Sequence, residues 1–269
     1  MTSIRPRTRR RLDAELVRRG LAESRTRAVE LVAAGRVLAR GAPVTSPARR
    51  VAPDEPLTVT GPPRRFVSRG GEKLDAALEI FGVDVRGQRV LDAGASTGGF
   101  TDCLLQRGAA HVLAVDVGHG QLAWRLRTDR RVTVLDRTNV RYLEPEVIGG
   151  PVSHAVVDVS FISLLTIAPA LARCTTADAE IVALVKPQFE AGRERVGKGG
   201  IVRDPAVHRD VLLRVADGLA AAGLPVVAGC ASPITGRDGN REFLVHVRRG
   251  AAPIGGDVLA AIIDEERAS

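Results

Sequence analysis

A chain of 269 residues, 45% of them hydrophobic, can bury a sizeable core, in one large domain with a small companion. Its three cysteines, Cys103, Cys174 and Cys230, lie far apart, which argues against a disulfide framework and a zinc site, and no apolar run reaches the roughly 20 residues of a membrane span. The formal charge of +8 is unevenly held, because residues 1–65 carry 15 arginines against 6 acids, a net of +9, and the remainder sums to −1.

So concentrated a basic module points to a polyanion partner. Its start lacks the apolar segment of a secretion signal, and a cytoplasmic protein is expected, with neither membrane nor metal. Residues 1–11, with Arg5, Arg7, Arg9, Arg10 and Arg11, read as a basic arm suited to a phosphate backbone. Leu12, Leu16 and Val17 predict a short helix stopped by Gly20, and Ser24 caps a second one that carries Ala28, Leu31 and Val32 to Gly35. Arg18, Arg19, Arg25 and Arg27 crowd the turn between them. With Arg9, Arg10 and Arg11 they are the candidate polyanion-binding residues. Val37–Ala39, Val44, Val51 and Leu57–Val59 follow as short strands. The order Arg11-Leu12-Asp13-x-x-Leu16, Gly20, Ser24-Arg25-x-x-Ala28, Gly35-x-Val37 resembles the small RNA-binding module named after ribosomal small-subunit protein four. That resemblance implies a basic two-helix face presented to structured RNA, and makes those arginines the candidate RNA-binding residues.

Gly61-Pro62-Pro63 continues neither helix nor strand, so the chain divides into a basic domain over 1–60, a linker over 61–68 and a larger domain over 69–269. Ser68-Arg69-Gly70-Gly71 opens an amphipathic helix with Leu74, Ala77, Leu78 and Phe81, and Lys73 stands in its first turn. From Val90 onward apolar strands alternate with helices, the α/β order of a parallel sheet covered on both faces. Strands are expected at Val90–Asp92, His111–Asp116, Val132–Leu135, Ser153–Asp158, Glu180–Lys186, Pro225–Ala231 and Phe243–Val247. Helices are expected near Phe100–Arg107, Gln121–Arg127, Leu164–Ala172 and Pro205–Ala222. Only Ser232–Arg241 separates the last two strands, which predicts a closing hairpin and one antiparallel strand. This arrangement resembles the class I methyltransferase version of the Rossmann-like sheet, in which ligands sit beyond the carboxyl ends of the strands.

The first of these strands runs into Leu91-Asp92-Ala93-Gly94-Ala95-Ser96-Thr97-Gly98-Gly99-Phe100-Thr101, a buried strand feeding a glycine-rich loop. No Gly-Lys-Ser/Thr follows, and the glycine spacing is not the dinucleotide Gly-x-Gly-x-x-Gly. An acid ahead of the first glycine would repel a pyrophosphate and suits a cationic amine, such as the methionine end of S-adenosylmethionine. Asp92, Gly94, Ser96, Thr97, Gly98, Gly99, Phe100 and Thr101 are the candidate cofactor-binding residues of this loop. Asp116, ending the second strand, is placed to accept ribose hydroxyls, and Asp136, ending the third, to meet an adenine amino group.

Of 39 basic residues only Lys73, Lys186 and Lys198 are lysine. Arginine stays protonated, whereas a buried lysine can exchange a proton, so amines kept in an arginine-rich chain mark chemistry. Lys186 ends the fifth strand at the ligand edge; Lys198, in a Gly-rich loop, reads as a surface residue. Taken in order, Lys73, Asp158, Lys186 and Glu242 resemble the Lys-Asp-Lys-Glu tetrad of the FtsJ-like ribose 2′-O-methyltransferases. With the basic module and the motifs Val67-Ser68-Arg69-Gly70-Gly71, Asp158-Val159-Ser160-Phe161-Ile162-Ser163 and Lys186-Pro187-Gln188-Phe189-Glu190, the chain is similar to the TlyA, or haemolysin A-like, family. The resemblance covers nearly the whole chain. It implies S-adenosylmethionine as cofactor, ribosomal RNA and ribosomal subunits as partners, and cytidine 2′-O-methylation, with longer members acting on both 16S and 23S rRNA.

On that reading Lys186 is the base or hydroxyl-orienting group, Asp158 holds its amine, and Lys73 and Glu242 position the ribose. Which lysine takes the proton stays open. Residues Gln188–Arg203 are either an RNA clamp or a surface loop, and Trp124 and Tyr142 are expected to pack in the core. Two rival readings are a non-catalytic ribosome-assembly factor, which an intact tetrad argues against, and a membrane-active haemolysin, which lacks an apolar or strongly amphipathic segment. A small-molecule methyltransferase would leave the basic module without a role.

Overall fold

A computed structural model describes residues 8–22, 24–61, 64–236 and 238–265. Arg5 and Arg7 of the basic arm and Pro62 and Pro63 of the linker lie outside the described residues. The chain divides into two compact units, residues 1–63 and 64–269.

In the first unit β1 (Arg10–Arg11) precedes α1 (Leu12–Arg18) and α2 (Arg25–Ala33), followed by β2 (Val37–Ala39), β3 (Ala42–Pro43), β4 (Arg50–Val51) and β5 (Leu57–Val59). Ser24 caps α2 by accepting the Arg27 N–H at 3.1 Å, as a hydroxyl at that position should. β2 lies between β3 and β5, while β1 pairs with β4. Leu12, Leu16, Ala28, Leu31, Val37 and Val51 close a core small enough that each short element depends on the others.

The second unit runs α3 (Gly70–Phe81), β6 (Arg89–Ala93), α4 (Gly99–Gln106), β7 (His111–Val115), α5 (Trp124–Arg127), β8 (Val132–Leu135) and β9 (Val152–Val157). It continues with α6 (Leu164–Cys174), β10 (Thr175–Val185), α7 (Pro187–Glu190), α8 (Pro205–Ala221), β11 (Val226–Ala231), β12 (Phe243–Arg248) and α9 (Gly256–Glu265). The seven strands stand in the order β11-β12-β10-β9-β6-β7-β8, and β12 alone runs against its neighbours. Both faces are covered: Leu91, Val115, Ala155 and Val157 pack with Leu164, Ile167, Leu171 and Val211, while Val90, Val112, Val156 and Leu184 pack with Leu74, Leu78, Phe100 and Leu104. Two-sided burial is why the strands read as unbroken apolar runs. The chain reverses its winding direction between β6 and β9, and an open sheet leaves its crevice at that point.

Four details differ from the sequence expectations. β10 begins at Thr175 rather than Glu180, its polar first half pairing Thr175 with Val152 across an irregular register. The helix expected from Gln121 shrinks to Trp124–Arg127, because Ala123 is extended and its N–H goes to the Thr97 carbonyl. α9 has no counterpart among the expected elements, although Leu259 and Ile263 join the core. Trp124 and Tyr142 are 77% and 67% exposed: Leu126 takes the buried place on α5, and Val140 and Leu143 do so around Tyr142.

Candidate active site

The tetrad forms two ion pairs. Asp158 follows β9 and Lys186 follows β10, neighbouring parallel strands, so both side chains leave the same sheet edge. Lys186 Nζ lies 2.5 Å from Asp158 Oδ1, a contact of charge rather than of hydrogen-bond alignment, and donates a hydrogen bond to Ser160 Oγ at 2.9 Å. The Nζ also stands 5.9 Å from the centre of the Phe189 ring. Lys73, on α3, pairs with Glu242 at the start of β12, with side chains 9% and 4% exposed. So deep a pair is held by mutual compensation, and removing one partner costs about 3–5 kcal/mol.

A cavity of about 280 Å³ opens where the strands end, lined by Gly94 and Ser96 after β6, Asp116, Val117 and Gln121 after β7, Asn139 and Val140 after β8, and Asp158 to Ile162 after β9, with Ile167 behind. Lys186 does not line it but reaches Asp158, which does. Asp116 Oδ2 accepts the Ser96 N–H at 2.8 Å and Oδ1 the Gly118 N–H at 2.7 Å, so each oxygen is oriented and keeps acceptor capacity. Gly94 has φ +95°, and a Cβ there would sit 2.4 Å from the Asp158 carbonyl oxygen, so only glycine lets the two loops meet.

Of the candidate cofactor residues, Gly94, Ser96 and Asp116 line this cavity and the others do not. Thr97 is exposed outside the lining. Gly98 turns the chain into α4 at φ +98°, against the Leu122 and Leu126 side chains. Gly99 is buried at the start of α4, and Phe100 fills the core beneath it. Thr101 donates to Asp92 Oδ2 at 2.5 Å. Asp92 is fully buried, and burial pushes its carboxyl up to about 7, the nearby Asp158 charge adding to the shift while the Thr101 hydrogen bond opposes it. Its Oδ1 has no hydrogen-bond partner, an acceptor held within the loop rather than at the cavity wall.

Asp136 is the clearest departure. Its Oδ2 accepts from Arg127 at 2.9 Å and from the Gly120 N–H at 3.1 Å and lies 3.1 Å from His119 Nδ1; the Arg127 hydrogen bond, first among these contacts, holds the carboxyl below its ordinary range. Arg137 at φ +56° then turns the backbone, and it is Asn139, three residues on, that faces the cavity. A polar residue shortly after the third strand is the signal, but choosing between positions 136 and 139 needs the turn. Ser160, which holds Lys186, and Gln121 are likewise site residues that spacing did not single out.

Residues Gln188–Arg203 fold into α7, a 3-10 turn at Arg193–Arg195 and a bridge between Gly197 and Ile201, around an open cavity of about 350 Å³. Asn240, buried beside Glu242, ties this segment down by accepting the Val202 N–H at 3.0 Å and donating to the Gly200 carbonyl at 2.9 Å. Asp116, Asp158 and Asn139 converge on the strand-end cavity. Among the described residues no cluster suited to a metal ion is found, and no helix is long and apolar enough to cross a membrane.

In the first unit Arg9, Arg10, Arg11, Arg18 and Arg25 are exposed. Arg19 is not an outward contact: its guanidinium donates to Glu15 and to the carbonyls of Ala52, Pro53 and Glu55, stapling α1 to the loop before β5. Arg27 is half-buried against Glu30.

The model of the FtsJ-like methyltransferase family matches residues 66–249, and that of the S4 domain matches residues 10–57. The 16S/23S rRNA (cytidine-2′-O)-methyltransferase TlyA of Mycobacterium tuberculosis is 55% identical over 89% of this chain and 90% of its own. Hemolysin A of Brachyspira hyodysenteriae is 41% identical over 88% of this chain and 98% of its own. The solved structure of a Streptococcus thermophilus protein described as a hemolysin superposes with a TM-score of 0.78, at 41% identity and with 97% of each chain covered. Sheet order, paired tetrad and whole-length relatives agree, and the chain belongs to the FtsJ-like methyltransferases, in the TlyA family that carries an S4 domain ahead of the catalytic unit.

Proposed function

We propose that this protein is an S-adenosylmethionine-dependent ribose 2′-O-methyltransferase of ribosomal RNA that acts in the cytoplasm; its target is cytidine in 16S and 23S rRNA, the target that the name of its Mycobacterium tuberculosis relative gives. The observation that carries the reading is the Lys186–Asp158 pair, standing at the switch point of the sheet beside a cavity whose polar lining suits a nucleoside. S-adenosylmethionine, when bound, supplies a sulfonium methyl group. Asp116 holds the ribose hydroxyls of that ligand and Asn139 its base, while Asp158 lends negative charge near the sulfonium. Asp92 and residues 97–101 act from behind, keeping the loop in shape.

A ribose hydroxyl is a poor nucleophile until its proton is removed or strongly polarised. Held in place by Asp158 and by Ser160, Lys186 Nζ either takes that proton as the neutral amine, present in part of the ensemble, or orients the hydroxyl as the ammonium. Lys73 and Glu242 position the ribose, and alignment of hydroxyl and methyl supplies much of the acceleration. Phe161 is 90% exposed at φ +66° and tilts against Phe189 with ring centres 5.1 Å apart, a platform for the base of the target nucleotide in a chain only 3% aromatic. The S4 unit brings the RNA through its arginines, which a small-molecule methyltransferase would not need. The test is to map 2′-O-methyl groups by mass spectrometry on rRNA from cells with and without the protein. Loss of cytidine 2′-O-methylation is expected; unchanged rRNA, with methyl transfer to another class of acceptor, overturns the reading.

A further inference from the structure

Glu55 is the least expected residue of the basic unit. Its side chain is 1% exposed, yet guanidiniums from three separate segments converge on it: Arg49 Nη2 lies 2.8 Å from Oε1, Arg9 Nη2 lies 3.7 Å from Oε2, and Arg40 Nε lies 4.0 Å from Oε1. Those three side chains are 40%, 59% and 70% exposed. The carboxylate thus lies beneath the surface and the cations above it. Its own loop is fixed from below, where Arg19 donates to the carbonyls of Ala52, Pro53 and Glu55. The Ala52 N–H donates to Glu55 Oε2 at 3.3 Å.

Arg40 adds an independent sign. It occupies the tip of the β2–β3 hairpin at φ +52°, followed by Gly41 at φ +80°. Two successive left-handed residues make a turn that favours asparagine or glycine, so an arginine there goes against local preference and is explained by its charge. Three guanidinium charges over one carboxylate leave a formal +2, and each guanidinium has five N–H donors of which Glu55 engages only part.

We propose that Arg9, Arg40 and Arg49 form a preorganised site for one phosphodiester of the RNA backbone, with Glu55 as the positioning residue that holds the three guanidiniums together. Neither Arg40 nor Arg49 belongs to the helix turn that the sequence points to. A buried acid under an anion site opposes binding by its charge and assists it by its geometry: long side chains held by a carboxylate lose less freedom when a phosphate arrives, and their remaining donors point outward. The inference rests on the reading of the first unit as an RNA-binding unit, and the experiment separates the two.

Charge and geometry give opposite signs for Glu55→Gln, which makes the protein more positive by one. If the acid merely subtracts charge, RNA binds more tightly. If it positions the arginines, RNA binds more weakly. Binding of a labelled structured rRNA fragment to the full-length protein should be followed by fluorescence anisotropy over a series of salt concentrations, with thermal unfolding and S-adenosylmethionine affinity as checks on folding. The expected result is a loss of about three- to tenfold for Glu55→Gln and about tenfold for Arg40→Ala and Arg49→Ala, with a salt dependence shallower by about one phosphate contact. Arg40→Ala removes a hairpin-tip side chain that is mostly in solvent, so it keeps the test decisive should Glu55→Gln unfold the unit. Binding by folded Glu55→Gln as tight as that of the unsubstituted protein, or tighter, overturns the positioning role. Unchanged affinity in Arg40→Ala and Arg49→Ala overturns the site, and unchanged affinity in Arg18→Ala and Arg25→Ala as well overturns the RNA role of the unit itself.

Discussion

Glu190, the last residue of α7, holds Ser163 on the loop after β9: its Oε2 accepts the Ser163 hydroxyl at 2.7 Å, and its Oε1 accepts the Leu164 N–H at 2.8 Å. Lys186 precedes α7, and Asp158 and Ser160 lie on that same loop, so the two segments are tied at both ends. Burial raises the Glu190 carboxyl above its ordinary range against the opposing pull of these hydrogen bonds. Glu190→Ala frees the loop and leaves the first N–H of α6 without its acceptor. It should lower stability by about 1–3 kcal/mol and slow methyl transfer at saturating substrate, while calorimetry finds S-adenosylmethionine affinity unchanged. Full activity in a destabilised variant would show that the tie serves folding alone.

Asp92 makes stability depend on pH in an unusual direction. With its carboxyl raised to about 7, the folded protein keeps a proton that the unfolded chain has released above about pH 4. Stability contributed by this group is therefore full at low pH and lost as pH rises through that window, by up to about 1.4 kcal/mol per unit. Asn mimics the protonated acid, so Asp92→Asn should flatten the unfolding free energy between about pH 4 and 7 relative to the unsubstituted protein. Urea titrations at each pH check this, and parallel curves for the two proteins would show that Asp92 is ionised throughout.

The cavity lining also orders the cofactor residues. Asp116→Ala should weaken S-adenosylmethionine binding about ten- to a hundredfold, and Asn139→Ala by a few-fold to about tenfold. Asp136→Asn should leave it nearly unchanged, since that carboxylate is engaged by Arg127 and the Gly120 N–H. Calorimetry on the three variants decides; an Asp136 effect as large as that of Asp116 would return Asp136 to the cavity.

Much of the second unit was legible because a parallel sheet covered on both faces needs apolar runs, and acids mark where they end at Asp116, Asp136 and Asp158. The irregular parts were not. Residues Thr175–Ala179 include Thr175, Thr176 and Asp178 yet extend β10, since Thr175 pairs with Val152 of β9 and is buried there, its hydroxyl donating to the Leu171 carbonyl. Trp124 and Tyr142 read as core residues but are exposed, because each stands beside smaller apolar residues that take the buried place. The partner of Lys73 lies 169 residues away, so resemblance places both residues in the tetrad but only the fold makes Glu242 its contact. Arg137 decides between Asp136 and Asn139 through one left-handed residue, which residue type does not announce.

Lys186 handles a proton in the proposed reaction rather than supplying only charge. Arginine matches lysine in charge and reach but neither gives up its proton nor fits as a compact cation between Asp158 and Ser160. Single-turnover methylation of rRNA by Lys186→Arg, beside Lys186→Ala and with S-adenosylmethionine binding confirmed in both, tests this directly. Arginine should fail almost as badly as alanine, with a loss of about two to four powers of ten in rate and intact cofactor binding. Near-normal methylation by folded Lys186→Arg would contradict it.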